Sequence, residues 1–169
     1  MKIIMQMSLS LPMVGLLLTL AFVSPAAAQK QVPFSGSVQG HEIDVFQGPP
    51  PGTLLVDGSL TGIATHLGRM TLNYKVTVNL ADGSATGSAQ LIAVNGDFIF
   101  TTIVGQGEPT DTPGVNRIVE INTITGGSGR FTHAKGSFTL ERLLELTTGV
   151  TSGSFHGTIT SPGAARQGQ

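Results

Sequence analysis

The sequence predicts an all-β protein, an eight-stranded antiparallel up-and-down β-barrel, from two observations. Residues 69–80 alternate apolar and polar side chains without a break, which is the period of a strand with one face in water. Similar segments recur along the chain at short spacings, and no helical pattern separates one from the next. Sequential strands with short connections close most simply into a barrel, which leaves no unpaired edge. A β-sandwich is the alternative.

Each strand is predicted from the alternation of its side chains. The predicted strands are 32–46, 54–66, 69–80, 85–94, 97–104, 116–125, 135–144 and 151–160. We expect the first to break near Gly40, and Asn95-Gly96 gives the fourth and fifth the signal of a tight hairpin. Residues 140–146, LERLLEL, allow a helical turn, but we interpret them as a strand end with a bulge.

The connections of an up-and-down barrel alternate between its two ends. One end receives the loops at 47–52, 81–84, 105–115 and 145–150, and two of these loops are rich in proline. Long loops on a rigid scaffold are where binding sites usually form. The sequence therefore places any pocket mouth at this end, the alternative being that these loops are plain connectors.

The N-terminal segment has the pattern of a secretory signal peptide. An apolar run at 9–23 is followed by small residues at 24–28, SPAAA, which signal peptidases recognise. The run is shorter than the roughly 20 residues that span a bilayer. We expect a signal peptide over 1–28, cleaved after about Ala28, and a secreted or periplasmic protein. A single barrel domain at 29–160 and a flexible tail at 161–169 complete the predicted organisation.

Composition narrows the classes of function. The chain has 169 residues, a net charge of −1 and no cysteine. Without a basic patch we expect no nucleic-acid partner, and without disulfides an exported fold relies on packing and backbone pairing. We also expect no cofactor and no membrane span in the mature chain, and we leave homo-oligomerisation open.

A glycine-rich stretch at 123–141, TITGGSGRFTHAKGSFTLE, raises the question of a phosphate-binding loop. Such a loop needs Lys-Ser or Lys-Thr after its last glycine and then a helix, whereas Arg130-Phe131 and a strand follow here. We interpret the stretch as a turn whose glycines supply positive φ and whose Phe131 folds back as a plug at the closed end of the barrel. The residues of this turn are Gly126, Gly127, Gly129, Phe131, Ala134 and Gly136.

The same stretch resembles a known family. GGSGRFTHAKGSFTLE is similar to the G-G-[ST]-G-x-F-x-x-A-x-G signature of the dirigent and allene oxide cyclase-like barrels. TTGVTSGSFHGTI, at 147–159, resembles the ending found in secreted bacterial members, so the resemblance covers about 122–159. It implies an eight-stranded barrel with an apolar cavity, often assembled into dimers or trimers.

The resemblance also implies two kinds of activity. Dirigent proteins steer the coupling of phenoxy radicals, and allene oxide cyclases fold an unstable fatty-acid epoxide so that it closes into a cyclopentenone. In the plant dirigent pattern an arginine of the polar cavity set stands where this chain has Lys135. The resemblance therefore makes Lys135 a candidate for the polar set of the cavity. Its chemistry would differ from that of the family's arginine, because lysine lacks the planar guanidinium group.

Four further side chains are cavity candidates from the pattern alone. Tyr74 lies on an apolar strand face and can direct its hydroxyl at a ligand, and His66 shares the parity of inward apolar residues near a barrel end. Arg117 and Glu120 have opposite parities, so one of them faces the lumen, where a charge needs a partner or a function. Core packing for the tyrosine and a surface position for the charged groups are the alternatives. No histidine spacing predicts a metal site, and no Ser-His-Asp hydrolase motif is present.

Three functions follow from these observations. The first, which we favour, is binding of a small apolar ligand in the barrel cavity. The second is an isomerase or coupling guide that acts by positioning its substrate, with catalytic residues unassigned. The third is a non-catalytic structural or oligomerising module whose barrel is filled by side chains. The set expected to fill it is Met70, Leu72, Val76, Phe98, Phe100, Phe138 and Phe155.

Overall fold

The computed structural model describes residues 30–160 and 162, and for residues 43–46 it describes the backbone only. The predicted signal peptide at 1–28 lies outside the described residues, as does the predicted tail at 161–169 apart from residue 162. Within the described part of the chain, no helix is long and apolar enough to cross a bilayer.

Eight strands form one closed antiparallel barrel in which each strand pairs with the next and the last pairs with the first. The strands are β1 (Gln31–Gly48), β2 (Thr53–Ala64), β3 (Gly68–Asn79), β4 (Ser84–Ala93), β5 (Phe98–Pro109), β6 (Val115–Gly127), β7 (Gly136–Glu145) and β8 (Val150–Thr160). One short 3₁₀ turn, η1 (Gly129–Phe131), lies between β6 and β7. The predicted fold class is confirmed, and β1–β8 pairing over eleven residues excludes the sandwich.

The strands follow the alternation of the sequence, with differences at irregular points. In β3, Met70, Leu72, Tyr74 and Val76 are buried, as the period of two predicts. The irregularity of β1 falls between Glu42 and residue 44 rather than near Gly40. β5 and β6 are longer than predicted, so the connection between them is shorter than expected. A second register shift, between β5 and β6, follows Phe100.

The bulge predicted within residues 140–146 is absent. β7 pairs with β6 and with β8 in unbroken register. Its buried residues are Phe138, Leu140, Arg142 and Leu144, which is a regular alternation. The prediction was wrong because a charged residue at an inward position made a regular strand look interrupted.

One half of the barrel is filled by side chains. The rings of Phe34, Phe138 and Phe155 contact one another with centroids 4.8–5.4 Å apart. Phe98 and Phe100 do not belong to this core, because Phe98 is half-buried, Phe100 is exposed, and their rings pack on each other outside the barrel. The buried residues of β5 are Ile99, Thr101 and Ile103.

The glycine-rich turn closes the filled end of the barrel. Phe131 of η1 is 1% exposed and belongs to the core, so it plugs this end. Gly129 and Gly136 have φ of 56° and 144°, where other residues are strained, and Gly136 also approaches the β8 backbone too closely for a Cβ. Gly126 and Gly127 instead form the end of β6. Ala134, also buried, donates its N–H to the carbonyl of Phe131 at 2.9 Å.

Candidate functional site: an apolar cavity over a buried ionic cluster

The other half of the barrel contains a cavity of about 710 Å³. It opens at the end that carries the β1–β2, β3–β4, β5–β6 and β7–β8 connections, which is where the sequence places a pocket mouth. Most of its wall is apolar and comes from inward-facing strand residues. These include Leu54, Val56, Val76, Val78, Ile118 and Leu144.

A second depression, of about 860 Å³, lies on the outer wall across β1–β4 and β8. Its outward-facing lining combines Ser and Thr side chains with the exposed apolar residues Ile63 and Val94, and Arg69 is the charged residue among the described residues that line it. This depression is more open to solvent than the lumenal cavity, and none of the buried polar side chains of the described residues lines it. We therefore take the lumenal cavity as the candidate site, because concave apolar spaces with a few convergent polar groups are typical of ligand sites.

Five polar side chains converge at the base of the lumenal cavity. Arg142 donates from Nε and Nη2 to the two carboxylate oxygens of Glu120, at 3.2 and 3.3 Å. Its Nη1 donates to Glu42 Oε1 at 3.1 Å and to Thr151 Oγ1 at 3.2 Å. The Tyr74 hydroxyl donates to the same Glu42 oxygen at 3.3 Å. We call these five residues the ionic cluster.

Strand register brings the cluster together. Glu120 of β6 pairs with Leu140, so Arg142 of β7 lies diagonally two residues along on the same lumenal face. Thr151 belongs to β8, between β7 and β1, and Glu42 is the last residue of β1 before its register shift. Five strands therefore contribute to one buried network, because Tyr74 reaches it from β3.

The cluster is shielded from water. The side chains of Arg142, Glu120 and Glu42 are 3%, 4% and 9% exposed. Burial raises the pKa of the Tyr74 hydroxyl; the charge of Arg142 acts against that rise, and Glu42 adds to it. Burial lowers the pKa of Arg142, but the combined effect of Glu120, Tyr74 and Glu42 outweighs it and raises that pKa overall. The guanidinium also stacks over the Tyr74 ring, 5.2 Å from its centroid.

One acceptor of the cluster faces the cavity. Glu42 lines the cavity, and its Oε1 accepts the hydrogen bonds from both Arg142 and Tyr74. Among the described residues no hydrogen bond reaches its Oε2, yet no fully buried side-chain oxygen or nitrogen there lacks a partner. Glu42 thus presents to this apolar space a carboxylate whose second oxygen receives no hydrogen bond from the described residues.

The structure brings two of the five sequence-predicted cavity candidates together. Tyr74 and Glu120 both belong to the ionic cluster. Arg117 has the opposite parity to Glu120 and lies outside the barrel, where it pairs with Glu141 at 2.9 Å. Of Arg117 and Glu120, the residue that lies on the lumenal face is Glu120.

His66 and Lys135 lie away from the cavity. His66 occupies the β2–β3 turn with a φ of 67°, is exposed, and places Nε2 3.1 Å from the carbonyl oxygen of Pro33. Its expected inward direction was wrong because β2 ends at Ala64 and the alternation does not continue into a turn. Lys135 follows the glycine-rich turn at the closed end of the barrel, where its Nζ donates to the carbonyl of Thr125 at 2.9 Å.

The sequence reasoning missed Arg142, Glu42 and Thr151. The signal for Arg142 was present, because it continues the inward series of Phe138 and Leu140. Glu42 likewise continues the inward series of Phe34 and Val38. Within the described residues no group of three or more His, Asp and Glu side chains is placed to hold a metal ion.

The fold and the site define a closed eight-stranded barrel with one plugged end and one open, ligand-sized cavity. No family model matches the chain, and no curated protein matches it. Among solved structures, the chain is similar to a pterocarpan synthase dirigent protein, with 14% sequence identity and a TM-score of 0.52. The match covers 85% of this chain and 96% of that chain. At this identity the likeness concerns the fold alone, and the chain shares the barrel fold of that protein.

Proposed function

We propose that this protein binds a small, largely apolar molecule in the open half of its barrel. The observation that carries the proposal is the cavity of about 710 Å³, whose wall is mostly apolar and whose base holds buried charged groups. Ligand pockets for small molecules usually enclose about 300–1,000 Å³ and combine apolar lining with a few placed polar groups. The walls would hold the body of the ligand, and the ionic cluster would fix the orientation of its polar end.

A single introduced tryptophan tests this proposal directly, because the chain has none of its own. Leu80 lines the cavity mouth and is 52% exposed, and Leu143 on the outer wall of β7 is also 52% exposed. We expect hexanol and 2-phenylethanol to change the emission of Leu80→Trp saturably and to leave Leu143→Trp unchanged. Equal responses in both variants, or no saturable response and no bound mass in native mass spectrometry, would contradict the proposal.

A second pair of variants asks whether the ligand occupies the lumen. Val78→Phe adds a ring to the cavity wall, whereas Val104→Phe adds the same ring to an outer position that is 63% exposed. We expect binding to weaken at least tenfold in Val78→Phe and to be unchanged in Val104→Phe, because only the first removes ligand space. Melting temperatures of both variants separate lost binding from lost folding.

The second candidate function is a coupling or cyclisation guide. It is favoured by the dirigent-like fold together with a carboxylate acceptor, Glu42 Oε2, at the base of the cavity. Such a protein would hold a reactive substrate in one geometry while Glu42 accepts a proton. Chiral chromatography of a phenoxy-radical coupling reaction, run with an added one-electron oxidant, tests it. A racemic product with and without the protein would remove this candidate for that substrate class.

We also propose that the protein is exported. The support is the apolar run at 9–23 followed by the small residues at 24–28. The intact mass of protein recovered from outside the cytoplasm of its host should correspond to a chain that begins at Gln29. A mass that retains the whole N-terminal segment would contradict cleavage there.

A further inference from the structure

The charges at the cavity base do not balance. Among the side chains that the structure describes, three charged residues line the cavity: Glu42, Glu120 and Arg142. With both carboxylates ionised, one guanidinium faces two anions, and the cluster has a formal charge of −1. Such a charge is poorly solvated beneath apolar walls, so a ligand that brings a compensating positive charge gains from the attraction.

The guanidinium has little left to offer a ligand. Nε, Nη1 and Nη2 of Arg142 make four hydrogen bonds, to Glu120, Glu42 and Thr151. An arginine has five N–H donors in all, so nearly all of its donor capacity is consumed inside the cluster. One face of the guanidinium also stacks on Tyr74. An anionic ligand head would therefore meet carboxylates without gaining an unoccupied cation.

Glu42 offers the complementary group. Its side chain is 9% exposed and lines the cavity, and its Oε1 is already held by Arg142 and Tyr74. These two bonds fix the carboxylate and leave Oε2 without a hydrogen bond from the described residues. A protonated amine is the ligand head that can both donate to this oxygen and neutralise the cluster.

We propose that the cavity selects molecules with an apolar body and a protonated amine head, and that the ammonium group donates to Glu42 Oε2. This inference rests on the proposed ligand-binding function and specifies its ligand class. A neutral alcohol can donate to the same oxygen without balancing the charge, and a carboxylate adds a third anion. The expected order of affinity is amine, then alcohol, then carboxylate.

Three probes with one tail test the order on the unmodified protein: hexylammonium, hexanol and hexanoate, titrated calorimetrically at neutral pH. We expect hexylammonium to bind at least tenfold more tightly than hexanoate, with hexanol between them. Hexanoate binding as tightly as hexylammonium would overturn the charge selectivity and leave the ligand-binding function standing. If none of the three binds, the proposed function fails, and this inference fails with it.

The variant Glu42→Gln tests whether Glu42 is the residue that causes the preference for the amine. The amide oxygen can still accept from Arg142 and Tyr74, but the substitution removes the excess negative charge. We expect the preference for hexylammonium over hexanol to fall to less than about twofold, because the ammonium loses its anionic acceptor whereas an alcohol oxygen can accept from the new amide group. An undiminished preference in this variant would overturn the assignment to Glu42. The wild-type probe series requires no variant, so it decides the selectivity even if Glu42→Gln folds poorly.

Discussion

Arg142 and Glu120 form a two-pronged ion pair on the lumenal face of the β6–β7 pair, with Nε and Nη2 donating to the two carboxylate oxygens at 3.2 and 3.3 Å. On the outer face of the same two strands, Arg117 and Glu141 form a second pair at 2.9 Å. The inner side chains are 3% and 4% exposed, and the outer ones are 50% and 45% exposed. One sheet region thus carries the same chemistry in two solvent environments.

This contrast predicts very different costs for the same substitution. Arg142→Met should lower the free energy of unfolding by about 3–5 kcal/mol, because it leaves two buried carboxylates without their cation. Arg117→Met should lower it by about 1 kcal/mol or less, because the outer pair is solvated. Denaturant unfolding of both variants measures the difference. Equal costs would show that the inner pair is not desolvated as the structure indicates.

The buried hydroxyl of Tyr74 should ionise at an unusually high pH, and no other aromatic chromophore of the chain obscures this ionisation. Tyr74 is the only tyrosine in a chain without tryptophan, so tyrosinate absorbance reports on this residue alone. Burial raises its pKa above the ordinary 10.0, with Arg142 opposing and Glu42 contributing. The unfolded chain therefore releases the proton first, so the contribution of Tyr74 to folding stability is present in full below pH 10 and is lost as the pH rises through the raised pKa.

We expect the tyrosinate band of the folded protein to appear well above the pH at which the denatured protein shows it. In Glu42→Gln the onset should move down, because one contribution to the raised pKa is removed, but it should stay above that of the denatured chain because burial persists. A native titration that overlays the denatured one would contradict the buried position of the hydroxyl.

The close contact between Gly58 and the Tyr74 ring predicts that a larger residue at position 58 destabilises the fold. The two residues pair directly between β2 and β3, and a Cβ at position 58 would overlap the Tyr74 ring. Gly58→Ala should cost about 1–3 kcal/mol through overpacking and should displace the hydroxyl from Glu42. Because the clash needs the ring, Tyr74→Leu should remove much of this cost, and a double-mutant cycle measures the coupling. Additive costs would contradict the contact.

The alternation of side chains predicted the inward residues of a strand correctly where the outer face of that strand is polar. It failed where both faces are apolar. β3 has a polar outer face, so its buried residues followed directly from the sequence. In β5 the segment FIFTTIV is apolar on both faces, so parity alone cannot choose between Phe100 and Ile99. Ile99 points inward and Phe100 outward, and the register with the neighbouring strands decides between them.

The ionic cluster is harder to predict for a different reason. A charge at an inward position looks like an error in a strand pattern until its partners are known. Arg142 has one partner 22 residues away and another 100 residues away. Only closure of the barrel brings Glu42 of β1 within reach of Arg142, across β8, so the local sequence shows an inward arginine and cannot show what neutralises it. Glu120 was predicted as a lumenal candidate because its parity conflicted with that of Arg117.

The closed end predicts an acid-sensitive contribution to stability. Asp97, in the β4–β5 connection, accepts a hydrogen bond from Nε of Arg130 at 3.0 Å and thereby ties this connection to η1. The hydrogen bond from Arg130 is the largest cause that lowers the pKa of Asp97 below 3.8, and Asn95 adds to it. A carboxyl with a lowered pKa in the folded state stabilises the fold above its ordinary pKa, and that contribution is lost as the pH falls through the lowered value.

Asp97→Asn should therefore lower the melting temperature most at pH values above 3.8, and the difference from the wild type should shrink as the pH falls below that value. Arg130→Gln should show a weaker pH dependence than the wild type over the same interval, because the main cause of the lowered pKa is gone. Melting curves across this interval provide the measurement. If the melting temperature of the wild type exceeds that of Asp97→Asn by the same amount even in strong acid, then the charge of the Asp97 carboxylate does not stabilise the glycine-rich turn.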